Sequence, residues 1–77
     1  MNIDEFVENF ALQFDDTDPD DITKDTIYEE LEEWSSLIAL SVIAMVDQDY
    51  GVGIGAKEII ESETVEGLFL IIKKLKK

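Results

Sequence analysis

Apolar residues recur along this chain in helically spaced blocks, with one long polar interval between the first block and the second. In the first block Ile3, Phe6, Val7, Phe10, Ala11 and Phe14 stand three and four residues apart, which predicts an amphipathic helix over 3–14 with one aromatic-rich face. Asn2, with Glu5 three residues on, fits an N-cap and its reciprocal partner. The pattern then breaks at Asp15-Asp-Thr-Asp-Pro-Asp-Asp21. Clustered aspartates favour turns, and Pro19 disfavours helix at the residue before it. Apolar positions return sparsely at Ile22, Ile27, Tyr28, Leu31 and Trp34. They predict a long loop tacked to the core by Ile22, ending in a short helical turn near 27–33 that Thr26 and Glu29 cap. A loop of this length is unusual in a compact domain unless it has a role.

The second block runs from Leu37 to Val46 almost without a polar residue, and predicts a helix over 36–50 closed by Gly51 in the left-handed conformation. Ala39, Val42, Ile43, Val46 and Tyr50 make one core face of it, while Leu37, Leu40, Ser41 and Ala44 fall on another stripe. A helix apolar nearly all round is normally buried all round. Only one face can pack in a chain this small, so Leu37 and Leu40 are candidates for an exposed docking surface, with Leu40 equally able to tuck under the aspartate loop. Gly51, Gly53 and Gly55 alternate with Val52 and Ile54, a flexible turn that dips apolar side chains inward. A short helix over 56–61 follows, with Ile59 and Ile60 inward. Thr64 caps a last helix over 65–76 that carries Val65, Leu68, Phe69, Ile72 and Leu75 on one face. The expected fold is all-α: a small four-helix bundle of three main helices and one short one, in a single domain over 1–77.

Charge narrows the partners. The 77 residues carry nineteen acids against six lysines and no arginine, a net −13. Nucleic acid and anionic membrane are disfavoured, and proteins with basic docking patches are favoured. Long-range attraction to such proteins speeds their encounter and weakens with salt. Lys73, Lys74, Lys76 and Lys77 complement the dipole at the end of the last helix and read as a solvated helix end. Cysteine and histidine are absent, which removes disulfides, thiol and imidazole chemistry and most zinc sites. No apolar run approaches the roughly 20 residues of a membrane span. Met1-Asn-Ile-Asp-Glu is acidic where a signal peptide is basic. A cytoplasmic monomer is expected, and not an enzyme.

The candidate chemistry lies at Trp34-Ser35-Ser36-Leu37, where an acidic stretch (Glu29, Glu30, Glu32, Glu33) gives way to the apolar second helix. A serine there reads first as an N-cap, worth about 1 kcal/mol. Two consecutive serines allow two roles: Ser35 turned back on the backbone as the cap, and Ser36 outward on the first turn. Helix N-termini present unpaired N–H groups and a positive dipole end, which suit a phosphate ester.

The stretch from Trp34 to Val52 resembles the attachment site and second helix of the acyl and peptidyl carrier proteins, whose usual motif there is Asp-Ser-Leu. Ser36-Leu37 matches two of the three letters, and Ser35 replaces the aspartate. The apolar helix, the acids near its end, Tyr50 and the following Gly-Val also resemble the family. The likeness extends to Glu58-Ile-Ile and to Thr64-Val65, and is strongest from Leu31 to Leu70. It implies a four-helix bundle of the acyl-carrier-protein type, with a 4′-phosphopantetheine arm on Ser36 that carries acyl or aminoacyl cargo as a thioester in fatty acid, polyketide or related biosynthesis. The implied partners are a phosphopantetheinyl transferase, a loading ligase or acyltransferase, and synthase enzymes with basic patches. These would dock on Leu37, Leu40, Ala44, Asp47 and Glu58. The alternative reading is an unmodified acidic helical adaptor with a degenerate carrier fold.

Two other patterns fail on inspection. Asp16, Asp18 and Asp20 resemble the start of a calcium loop, but Asp21 stands where Gly is wanted and Ile27 where the bidentate Glu belongs. Gly51-Val-Gly-Ile-Gly55 follows a helix rather than a strand and lacks the lysine of a phosphate loop. No metal site is expected.

Overall fold

A computed structural model describes residues 2–76. Among them are four α-helices: α1 (Ile3–Ala11), α2 (Ser36–Tyr50), α3 (Ala56–Ser62) and α4 (Val65–Leu75). No strand occurs among the described residues, only one isolated antiparallel bridge between Ile27 and Thr64. The all-helical expectation holds, and three of the four helices lie within one residue of their predicted bounds. The first does not. α1 stops at Ala11, and Gln13 and Phe14 close it with tighter turns onto the carbonyls of Phe10 and Ala11. Phe14 is buried all the same, so the periodicity marked a face that outlasts the helix.

The core forms where the apolar faces meet. Phe6 and Phe10 of α1, Val42 and Val46 of α2, Val65, Leu68 and Ile72 of α4, and Tyr28 of the long loop all lie at 0% exposure. Aromatic rings thread this core: Phe6 stands 5.6 Å from Phe69 and from Tyr50, and Phe10 stands 5.6 Å from Phe14 and 5.5 Å from Tyr28. Tilted pairs at these distances are worth about 0.5–1.5 kcal/mol each beyond their area. α4 is the shared packing partner of α1 and α3.

The buried face of α2 differs from the one expected. Ile38, Val42, Met45 and Val46 are buried, whereas Ala39, Ile43 and Tyr50 are only half-buried. With apolar residues on every side, the sequence of α2 does not choose its own orientation; packing against α1 and the aromatic cluster does. Two other inward assignments fail: Ile60 is 62% exposed and Leu75 48% exposed.

The long loop is anchored at several points. Ile22 is buried, as its isolated position in a polar stretch suggests. Asp18 caps a 3-10 turn over Pro19–Asp21, accepting from the Asp20 amide at 2.9 Å. A second 3-10 turn, Tyr28–Glu30, has no side-chain cap; the Thr26 hydroxyl instead accepts from the Thr23 amide at 2.8 Å. Glu33 braces the loop from afar, accepting from the amides of Asp15 (2.8 Å) and Asp16 (3.0 Å) and from the Thr17 hydroxyl (2.7 Å). Those bonds, the Thr17 hydroxyl foremost, hold its carboxyl below the usual carboxylate range.

At the α3–α4 junction the backbones approach closely. Glu63 turns the chain at φ 59°, a conformation that costs a non-glycine residue energy. Thr64 caps α4 through the Gly67 amide at 3.0 Å. The loop clasps the same turn: the Thr26 carbonyl accepts from the Val65 amide and the Lys24 carbonyl from the Glu66 amide, at 3.2 and 2.9 Å. Gly67 is required by close approach, because a Cβ there would fall well inside contact distance of the Ser62 carbonyl oxygen.

Candidate functional site

The start of α2 divides its two serines between two tasks. Ser35, extended at φ −157° and ψ 171°, is the N-cap, and its Oγ accepts from the Ile38 amide at 3.3 Å. That bond satisfies one of the orphan donors of the first turn and turns the Ser35 side chain back toward the backbone. Ser36 is the first helical residue and is exposed. No hydrogen bond to its Oγ occurs among the described residues, so the hydroxyl stands free at the positive end of the helix.

Trp34, Ser35 and Ser36 help to line a groove of about 460 Å³ between α2 and α3. Ala39, Leu40 and Ile43 line its α2 wall; Ala56, Ile59 and Ile60 line its α3 wall. Glu29 supplies its one ionisable lining residue. The groove exists because α3 packs chiefly on α4 and stands off α2. Ile43 and Ala39 are half-buried rather than buried because they face this space.

Tyr28 lies behind the groove. Its ring packs on Trp34 at 4.9 Å, and its hydroxyl donates to the Ile59 carbonyl. Ile59 belongs to the last turn of α3, whose carbonyls have no helical partner, so the phenol supplies what the helix cannot. Burial is the main cause that pushes the Tyr28 phenol up to about 12, against the opposing Ser62 hydroxyl, so it remains a donor at neutral pH.

Leu37, Leu40, Ala44 and Asp47 share one exposed stripe of α2 by their spacing of three and four, with Leu37 at 72% and Leu40 at 62% exposure. Leu40 does not tuck under the aspartate loop; it forms the groove rim. Glu58 stands apart from that stripe. It is half-buried on α3, and its carboxylate accepts from the Gly55 amide at 2.7 Å, the bond that chiefly holds it below the ordinary carboxylate range. Sequence reasoning missed Trp34, Ile59 and Ile60 as groove walls. Nothing local signals a surface that exists only because two helices stand apart.

Among the described residues no cluster of acidic side chains has the geometry to hold a metal ion. No described helix is long and apolar enough to cross a membrane. No protein-family model, no curated protein and no solved structure matches this chain.

Proposed function

We propose that this chain is a carrier protein of the acyl-carrier-protein type, holding acyl or aminoacyl groups on a 4′-phosphopantetheine arm at Ser36 for fatty acid, polyketide or related biosynthesis in the cytoplasm. The observation that carries this reading is a free, exposed Ser36 hydroxyl on the first turn of α2, in the lining of an apolar groove. A group attached there has solvent on one side for transfer and apolar walls on the other for shelter.

The residues present suit the group. Ser35 meets the capping requirement, so esterifying Ser36 costs the helix no hydrogen bond. The first-turn N–H groups and the helix dipole favour a phosphodiester at that point. The arm supplies the thiol this cysteine-free chain lacks, to which cargo is joined as a thioester. The chain itself positions, shelters and presents; catalysis belongs to its partners. The stripe of Leu37, Leu40, Ala44 and Asp47 offers those partners an apolar contact in an acidic field, which suits enzymes with basic docking patches. The partners are a phosphopantetheinyl transferase, a loading ligase or acyltransferase, and synthase enzymes.

Incubation with coenzyme A and a broad-specificity phosphopantetheinyl transferase, followed by intact mass, tests this directly. The parent chain and Ser35→Ala gain one phosphopantetheine, and Ser36→Ala gains none. An unmodified parent chain across several transferases would leave an acidic helical adaptor as the better reading.

A further inference from the structure

Tyr28 touches two residues that line the groove, Trp34 through its ring and Ile59 through its hydroxyl. We propose that the Tyr28 hydroxyl sets the width of the α2–α3 groove, and so limits the bulk of the aliphatic chain that groove takes, by tying α3 to the aromatic stack behind Trp34. The proposal rests on the carrier reading, since the occupant is the hydrocarbon part of cargo held at Ser36.

The two walls are held very differently. α2 is fixed by Val42 and Val46, both at 0% exposure, and its wall cannot retreat without opening the core. α3 spans only Ala56–Ser62, leans on α4, and is entered through Gly53 and Gly55. Its own side chains contribute a single deeply buried anchor, Ile59. The Tyr28 hydrogen bond is therefore the polar tie between α3 and the segment that carries Trp34. Behind it the phenol is locked in place by Phe10 at 5.5 Å and Trp34 at 4.9 Å, so the hydroxyl acts from a rigid base. Removing that oxygen leaves the Ile59 carbonyl without a partner in an apolar setting. α3 then relaxes outward toward water, and the groove widens on its α3 side. The walls are apolar and hold no cation, so the cargo they select is aliphatic rather than anionic.

Trp34 is the single tryptophan of the chain and lines the groove, so its emission reports occupancy. The experiment loads the phosphopantetheinylated protein with butyryl, octanoyl and dodecanoyl groups, with intact mass confirming each state. In the parent, Trp34 emission shifts to the blue up to octanoyl and then stops changing. In Tyr28→Phe the shift continues to dodecanoyl, and amides of the last turn of α3 exchange at least tenfold faster while those of α1 do not. The same plateau in both proteins overturns the proposal and leaves the carrier reading standing. Failure of Ser36 to gain the arm overturns both. Should Tyr28→Phe not fold, the parent decides: the carbonyl-carbon shift of Ile59 moves between the unacylated and dodecanoyl forms if the tie is strained by a full groove. An unchanged Ile59 shift refutes it.

Discussion

α3 has a closed side and an open side. Toward α4 the backbones touch: Gly67 meets the Ser62 carbonyl, the loop bonds to Val65 and Glu66, and Ile59 is buried. Toward α2 the same helix stands off and leaves about 460 Å³ lined by Ala56, Ile59, Ile60 and the first turns of α2. A small domain that cannot bury all its surface gains stability by closing gaps. The open side is therefore a cost, and it lies beside Ser36, whose exposed hydroxyl has no hydrogen-bond partner among the described residues. The closed side determines where α3 sits, and the open side is what that position leaves unpacked.

Breaking the closed side should have the largest effect. Gly67→Ala places a methyl group against the Ser62 carbonyl, which is backbone and cannot swing away. The overpacking, about 3 kcal/mol, outweighs the roughly 1 kcal/mol of helix propensity gained. At about 4–8 °C per kcal/mol for a domain this size, the thermal midpoint falls by roughly 10 °C. A midpoint equal to that of the parent would mean the junction is not the tight side at all.

Alkaline pH probes the tie between the two sides. The Tyr28 phenol is raised from 10.0 to about 12 in the folded protein, mainly by burial. A folded-state pKa above the unfolded one gives stability that is complete below pH 10 and is lost as pH rises through about 12. The loss approaches roughly 2 kcal/mol at the top of that window. Denaturant unfolding at pH 8 and above pH 11 measures it, and Tyr28→Phe should remove that component of the pH dependence. An equal alkaline loss in the variant would mean that it does not come from Tyr28.

The contrast also explains which parts of the molecule were legible in the sequence. Helix positions came from period and caps: Asn2, Thr64 and Gly51 all act as their local context implies. The split between Ser35 and Ser36 was readable because capping is a local matter. The orientation of α2 was not, because Ile38 and Met45 compete with Ala39 and Ile43 on equal terms until α1 and the aromatic stack choose. Glu33 was unreadable for a different reason, since its partners Asp15, Asp16 and Thr17 lie across a loop with no periodicity. The Asp18 cap was readable, for Asp before Pro at a helical first position is a start signal, but it was submerged in the run of aspartates. The groove was beyond reach, since it is the absence of packing between α2 and α3.

The smallest effect should come from the open side. Leu37 projects from the tip of α2 with 72% of its surface in solvent and belongs to neither the core nor the groove lining. Leu37→Ser removes little buried area and keeps a residue tolerated in the first turn, so stability should change by no more than about 0.5 kcal/mol. The same substitution takes an apolar contact from the surface next to Ser36, so on the carrier reading proposed above the rate of phosphopantetheinylation at that serine should fall while the unfolding midpoint stays put. A change in stability without a change in rate would make Leu37 a packing residue, and the open side would then begin deeper in the groove, at Leu40. A change in both would mean that the tip of α2 is held by contacts that support the fold.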